Sequence, residues 1–305
     1  MSEDGTVQVT SAESTNGYLC SAPDDYGTSY YYRGNVTNNY VKFGTNEQGQ
    51  DMYWRIIRIN GDGTIRMIYD GTSAHANGES STDRQVGTSA YNSSYNDNAY
   101  VGYMYGTVGA STYDATHAND NDSTIKTYLD SWYKTNIEDK GLSSYISDTL
   151  FCNDRSFNSY NSGTGAGTST TYYRWGYGPW DSTGTQYPRL TCTEQNDRFT
   201  VDDEVTGNGD LSYPIGLVTT DEAVLAGGYS TSNSGYYLYI GNEYWTMTSH
   251  SFNGSFAYVH SVSSDGHVVN LNVVNASYGV RPTLNLKADS LKLGDGSASN
   301  PYRVG

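Results

Sequence analysis

Long apolar runs are missing from this 305-residue chain. No stretch of about 18 apolar residues occurs, so nothing reads as a transmembrane helix. No basic amphipathic stretch reads as a membrane-surface segment either. Positive charge is scarce: 17 Lys and Arg stand against 33 Asp and Glu, for a formal net charge of −16. Such a chain repels phosphate backbones, which disfavours nucleic acid as a partner. Ala, Leu, Lys and Glu do not dominate, which argues against a long helical bundle. Only three cysteines occur, Cys20, Cys152 and Cys192, and none forms a CxxC pair, so zinc-ribbon and thioredoxin-type chemistry has no support. The five histidines (His75, His117, His250, His260 and His267) show neither i, i+4 nor HExxH spacing. A GxSxG elbow, a Walker loop and a dinucleotide fingerprint are all lacking. No metal and no cofactor is therefore expected. Two acidic loops, Asn119–Asp122 and Val201–Asp210, carry the oxygen ligands that calcium uses, but without EF-hand spacing. They read more simply as capping and surface loops.

What is abundant is tyrosine, 31 residues against 6 Phe, together with 34 Gly. Tyr, Thr, Val and Ile favour strands, while Gly, Asn, Asp and Ser favour turns. Met52–Gly71 predicts a β-hairpin around Gly61-Asp62-Gly63. Thr124 to Glu138 predicts a helix with Ile125, Leu129, Trp132 and Ile137 near one face. A second helix follows Thr219 or Thr220 and stops at Gly227-Gly228. The C-terminal part reads as antiparallel strand throughout, ending in "GVRPTLNL" with a structural Arg281. The expectation is an α+β fold of two helices with an antiparallel sheet and long loops. Residues 1–17 read as a polar tether. Residues 18–305 read as one domain, with a long surface insertion around 72–120. The polar opening leads to the expectation that a secretion signal or anchor preceded it, placing the protein outside the cell or on its surface.

Cys152 and Cys192 flank a Gly/Ser/Thr/Tyr-rich loop that carries Trp175 and Trp180. A bridge there would stabilise by about 3–4 kcal/mol in the chain-entropy model; two free buried thiols are the alternative. The two loop tryptophans are candidates for ligand stacking or for plain loop packing. From Ser249 to Leu286 there is no Lys, Glu, Gln, Met or Trp, and Tyr, Ser, Gly, Asn and His prevail. That mixture is typical of antibody paratopes, where Tyr supplies rigid contact area and Ser, Gly and Asn adapt their hydrogen bonds. Alternation predicts that Val259, Leu271 and Val273 enter the core. The opposite face would then display Phe256, Tyr258, His260, Asn270 and Asn272. His250, Phe252, Asn253 and His267 belong to the same candidate binding region.

The segments "YWRIIRINGDGTIRMIYDG", "STIKTYLDSWYKTNI", "FCNDRS", "YPIGLVTTDEAVLAGG", "YLYIGNEYWTMTS" and "YGVRPTLNLK" together span nearly the whole chain. In them the chain resembles a group of surface proteins of gut bacteria. Those proteins are similar to the C-type lectin fold, in the branch of formylglycine-generating enzymes and of the variable proteins of diversity-generating retroelements. The resemblance implies that "GVRP" lies in the strand closing that fold and that the segment before it carries diversified binding positions. The residue set from Ser249 to Leu286 is also the set that randomised adenines in AAY codons encode. The chain lacks the close pair of reactive cysteines of the catalytic relatives, so oxidase activity is not implied. It lacks the EPN/QPD and WND patterns too, so calcium-dependent sugar binding is not implied. The expected function is that of a non-enzymatic adhesin-like surface protein. Its partner would be a protein or glycan on another cell, or on a phage or host surface. A pilin-like appendage subunit and a carbohydrate-active enzyme are the alternatives.

Overall fold

The computed structural model describes residues 5–176, 187–268 and 270–305. The strands are β1 (Gly17–Asp24), β2 (Gly27–Gly34), β3 (Tyr40–Thr45), β4 (Asp51–Ile59), β5 (Ile65–Gly71), β6 (Gly87–Ala90), β7 (Met104–Tyr105), β8 (Asn121–Asp122) and β9 (Phe151–Cys152). They continue with β10 (Thr171–Tyr172), β11 (Arg198–Phe199), β12 (Tyr244–Phe252), β13 (Ala257–Val262), β14 (Asn270–Val273), β15 (Ser277–Val280), β16 (Thr283–Leu286), β17 (Leu291–Leu293) and β18 (Tyr302–Val304). The α-helices are α1 (Tyr113–Thr116), α2 (Thr124–Tyr133) and α3 (Thr220–Leu225). This is an α+β fold, mostly sheet with few helices.

Two sheets form the frame. In the first, the expected hairpin β4–β5 sits centrally: β5 lines one edge of β4, while β3 and β2 pair with it on the other. The second runs in the order β14-β13-β12-β15-β6, with β10 added beside the end of β12. The expected "GVRPTLNL" strand joins the two sheets. Its first half, β15, pairs with β6 and β12; its second half, β16, pairs with β5. Arg281-Pro282 makes the crossing, and the proline breaks the ladder there because it has no N–H to give.

Both sheets contribute to two cores. One core contains Trp54, Ile56, Met67, Trp245, Met247, Ala257 and Val259, covered by Ile125 and Leu129 of α2. The other contains Ile57, Ile68, Tyr244, Val262 and Val268, covered by Ala223, Val224 and Leu225 of α3. Helix α2 starts where Ser123 accepts a hydrogen bond from the Lys126 N–H, and it runs into a wide π turn over Lys134–Glu138 that still buries Ile137. Helix α3 has a capping box. The Thr219 hydroxyl accepts from the Glu222 N–H at 3.1 Å, and the Glu222 carboxylate accepts from the Thr219 N–H at 2.9 Å.

Two expectations about organisation need correction. From residue 5 onward the tether is docked: the Val7 N–H donates to Pro188, the Glu13 N–H donates to Gly227, and Val9 is in the core beside α3. At Gly227 (φ +123°) a Cβ would lie 2.7 Å from the Glu13 carbonyl oxygen, so the segment fits only against glycine. The 72–120 region is not a surface insertion either. Tyr91, Val101 and Tyr103 are fully buried in the core under α2. A Tyr-rich stretch reads as polar, yet its rings bury as well as Phe once the hydroxyl finds a partner. Tyr103 donates to the Ile215 carbonyl at 3.1 Å.

Buried charge is organised around the hairpin β4–β5. Asp70 accepts from Arg84 (Nε 3.0 Å, Nη2 2.7 Å) and from Arg281 (Nη2 2.9 Å), with Arg55 Nη1 at 3.9 Å. All four side chains are fully buried. Three guanidiniums thus face one carboxylate. Backbone carbonyls take further Arg281 donors, at Tyr69 and Leu238, and the Tyr40 ring lies 3.9 Å from the Arg55 guanidinium. The structural role expected for Arg281 is this one.

Candidate functional site

The C-terminal hairpin was expected to separate core from display by alternation. Its observed register is Tyr258↔Val273, Val259↔Asn272, His260↔Leu271 and Ser261↔Asn270. Directly opposed residues share a face, so Val259 lies with Asn272 and His260 with Leu271. At the turn, however, the Ser263 N–H donates to the His267 carbonyl. Going from that pair to Ser261↔Asn270 takes two residues on one strand and three on the other. One extra residue between His267 and Asn270 inverts the parity of β14. Leu271, expected in the core, is therefore 44% exposed.

The expected display residues part company as a result. Phe256 is 39% exposed and stacks on Tyr95 with ring centroids 5.1 Å apart. Tyr258 is half-buried, and its hydroxyl accepts from exposed Asn253 at 3.2 Å. His260, by contrast, is fully buried, because its end of β13 lies under α3 and Trp175. Asn272 is tied down, donating to Glu243 and Ser261 and accepting from Tyr278. Phe252 is core, and His267 is half-buried beside Tyr229. The side chain of Asn270 and the whole of Trp180 lie outside the described residues.

Trp175 is buried rather than displayed. It stacks on His250 at 4.7 Å and lies 5.7 Å from His260, while His250 and His260 are 4.7 Å apart. His250 occupies a β-bulge in β12, where the pairing jumps from Ser249↔Val259 to Ser251↔Tyr258. Burial disfavours the charged imidazole and takes its pKa down to about 4. The ring is thus a neutral platform, and its Nδ1 shares a hydrogen bond of 2.7 Å with Ser251.

Beside this platform four strands come into line. Tyr172 of β10 pairs with Ser251, Ser251 with Tyr258, and Tyr258 with Val273. The row shares one face. Tyr172, Tyr258 and Val273 are each half-exposed, with the small Ser251 between two phenol rings. Tyr160, 44% exposed, extends it by packing 5.3 Å from Tyr172 and 6.1 Å from Trp175. Sequence reasoning missed Tyr160, Tyr172 and Tyr95. The only signal was their place in Tyr- and Ser-rich loops; the pairing of β10 with β12 could not be read from it.

The disulfide Cys152–Cys192 is formed, closing the loop that holds Tyr160, Tyr172 and Trp175. Beside it four arginines meet four carboxylates. Arg58 binds Asp24 and Glu222, Arg66 binds Glu222, Arg174 binds Asp154 and Asp221, and Arg189 binds Asp154. Charge balances inside this cluster, and the space left is about 20 Å³, room for one water. Nearby Asp197 pairs with Arg155. Burial outweighs that attraction and pushes its pKa up to about 6.

The remaining histidines are structural in kind. His75 lies between Glu79 (2.8 Å) and Asp83 (2.9 Å); burial lowers its pKa, but the hydrogen bonds to Asp83 and Glu79 outweigh this and raise it overall. His117 is buried among Tyr113 and Tyr173, and burial takes its pKa well down. Among the described residues no group of three or more His, Cys, Asp or Glu could hold a metal ion. No helix among them is long and apolar enough to cross a membrane. Compared with known proteins, the chain matches no family model, no curated protein and no solved structure.

Proposed function

We propose that this chain is a non-enzymatic binding protein of a cell exterior, built on a C-type lectin-like frame. It docks a protein or glycan of another surface on the open end of its C-terminal sheet. The observation that carries this reading is the row Tyr172–Ser251–Tyr258–Val273, flanked by Tyr160, Asn253 and Phe256. Tyrosine presents a large, stiff, amphipathic surface at low entropic cost, and Asn and Ser supply adaptable hydrogen bonds. The row adjoins the stacked Trp175–His250–His260 cluster, with the Tyr172 ring 6.5 Å from His250 and Tyr160 6.1 Å from Trp175, so its edge is held in place. The cluster of four arginines and four carboxylates is spent on its own ion pairs and leaves no room for a substrate, which favours binding over catalysis. The disulfide is compatible with an oxidising, extracellular location.

The test is direct. Fluorescently labelled protein is applied to a glycan array and to a panel of bacterial and epithelial cells, beside the variant Tyr172→Ala/Tyr258→Ala. Aromatic anchors contribute about 2 kcal/mol or more each, so the variant should lose at least about thirtyfold in binding while melting like the parent. Equal binding by both proteins rejects the site. Turnover of any arrayed glycan rejects the non-enzymatic reading.

A further inference from the structure

A second concavity, of about 510 Å³, opens between α2, the turn at 46–50 and the segment that leads into β6. None of its lining residues belongs to the sheet end described above. Its volume falls in the range of small-molecule sites. Trp132 and Tyr128 form its aromatic wall. Carboxamides dominate the rest: Asn46, Gln48, Gln50, Gln85 and Asn136. Of the described residues that line it, none is positively charged, and Glu47 and Asp83 add negative charge.

The wall is fixed before any ligand arrives. Trp132 is half-buried and held edge-on by Trp54 (6.1 Å) and Tyr69 (6.3 Å). The Tyr128 hydroxyl donates to the Val86 carbonyl at 3.1 Å. Asn46 shapes its turn by accepting from the Gln48 and Gln50 N–H groups. Asp83 is saturated by Thr72, Ser81 and His75.

Hydrogen-bonding capacity is nevertheless left over. Among the described residues, the Trp132 indole N–H and the Gln48 carboxamide make no hydrogen bond. The Gln85 Oε1 is buried and accepts none. Buried acceptors are rarely left so.

We propose that this groove binds a neutral sugar, one or two residues of a glycan. Carboxamides offer a donor and an acceptor side by side, which suits vicinal hydroxyls. Aromatic side chains offer the apolar surface that a sugar's C–H face covers. The absence of cations among the described lining residues disfavours phosphorylated and carboxylated ligands. The density of carboxamides disfavours a wholly apolar one, because the Gln48 carboxamide and the Gln85 Oε1 would be buried without a partner.

The experiment is calorimetric titration and saturation-transfer NMR of the whole chain with maltotriose, cellotriose, mannotriose and chitotriose. At least one should bind with a Kd of about 1 mM or tighter. Trp132→Phe, which keeps an aromatic ring but loses the indole N–H, and Gln48→Ala, on an exposed turn, should each weaken it about fivefold or more. Both variants should melt like the parent. Trp132→Phe touches the core, so Gln48→Ala carries the test if that variant is less stable. Tyr172→Ala/Tyr258→Ala should bind the sugar as the parent does. If no trisaccharide binds, the inference is overturned. If binding is lost with the tyrosine variant and kept with Gln48→Ala, the sugar belongs to the sheet end and the groove is again rejected.

Discussion

The hairpins β4–β5 and β13–β14 carry the same local signature, alternating side chains around a Gly-containing turn, yet they end in opposite circumstances. Hairpin β4–β5 has a strand on every edge and a core on each face, so even Arg55, Arg58, Arg66 and Asp70 are buried. Hairpin β13–β14 is covered at its turn end, where His260 and Val262 lie under α3, and open at the other, where Tyr258 and Val273 meet solvent. Alternation decides which residues share a face. What packs against that face decides whether it is dry, and a single strand can be dry at one end and wet at the other.

The contrast can be broken hardest at Asp70. Replacing it by Asn leaves Arg55, Arg84 and Arg281 buried without a counter-charge. Breaking a buried ion pair by removing one partner costs about 3–5 kcal/mol. Urea denaturation of Asp70→Asn should show stability fall by about 3–5 kcal/mol, a midpoint lower by about 1–2 M. A shift of only a few tenths of a molar would mean that carbonyls and rings alone hold the three guanidiniums.

The next effect is one of pH, at the platform. The His250 pKa is about 4 in the fold and near 6.5 when unfolded. The unfolded chain therefore binds the extra proton between these values. The stability from the neutral ring is complete above pH 6.5 and drains away as pH falls toward 4, by on the order of 3 kcal/mol. Asp197, raised to about 6, works in the opposite sense, holding its proton in the fold and losing that contribution as pH rises from about 4 to 6. The difference between the parent and His250→Gln melting profiles over pH 7 to 4 isolates the histidine. Parallel profiles would show that its proton is taken up without strain.

Smaller still is the separation within the open hairpin. Val259 is fully buried, and Val259→Ala should cost about 1–3 kcal/mol. Leu271→Ala, at a neighbouring position on the partner strand, should change stability by within about 0.5 kcal/mol because the side chain is mostly exposed. Tyr258→Ala belongs with Leu271 on this scale. Equal losses at Val259 and Leu271 would restore the parity expected from alternation and remove the extra residue from β14.

Much of the frame was legible because its signals are local. The hairpin at 52–71, the helix from Thr124 and the cap at Thr219 each announce themselves within a few residues, and the Cys152–Cys192 bridge, 40 residues apart, was read from the loop its cysteines flank. The candidate site was legible only in part. Phe256, Tyr258 and Asn253 reach the surface as expected, but His260 and Phe252 do not. One inserted residue reverses a strand's faces, and nothing in the sequence around Val268 marks where it falls. Tyrosine was the other source of error. It read as surface in the 72–120 region, where Tyr91 and Tyr103 are wholly buried, as Tyr173, Tyr236 and Tyr237 are elsewhere. Strand pairings across long separations, such as β10 on β12, are set by the whole packing and leave no local trace.

Those five buried phenols have a consequence at the alkaline end of the scale. Burial raises each pKa far above 10, the value the same side chain takes in the unfolded chain. Each keeps its proton as long as the fold lasts, and each gives it up on unfolding once the medium is basic enough. The stability they protect is intact below about pH 10. Above it, every phenol withdraws about 1.4 kcal/mol per pH unit, and the five act together. A core built on Tyr where most proteins use Phe thus gives this molecule a sharp alkaline ceiling. Five Tyr→Phe replacements would be expected to lift it, and the ultraviolet absorbance of ionising phenolate would report the collapse as a single cooperative step.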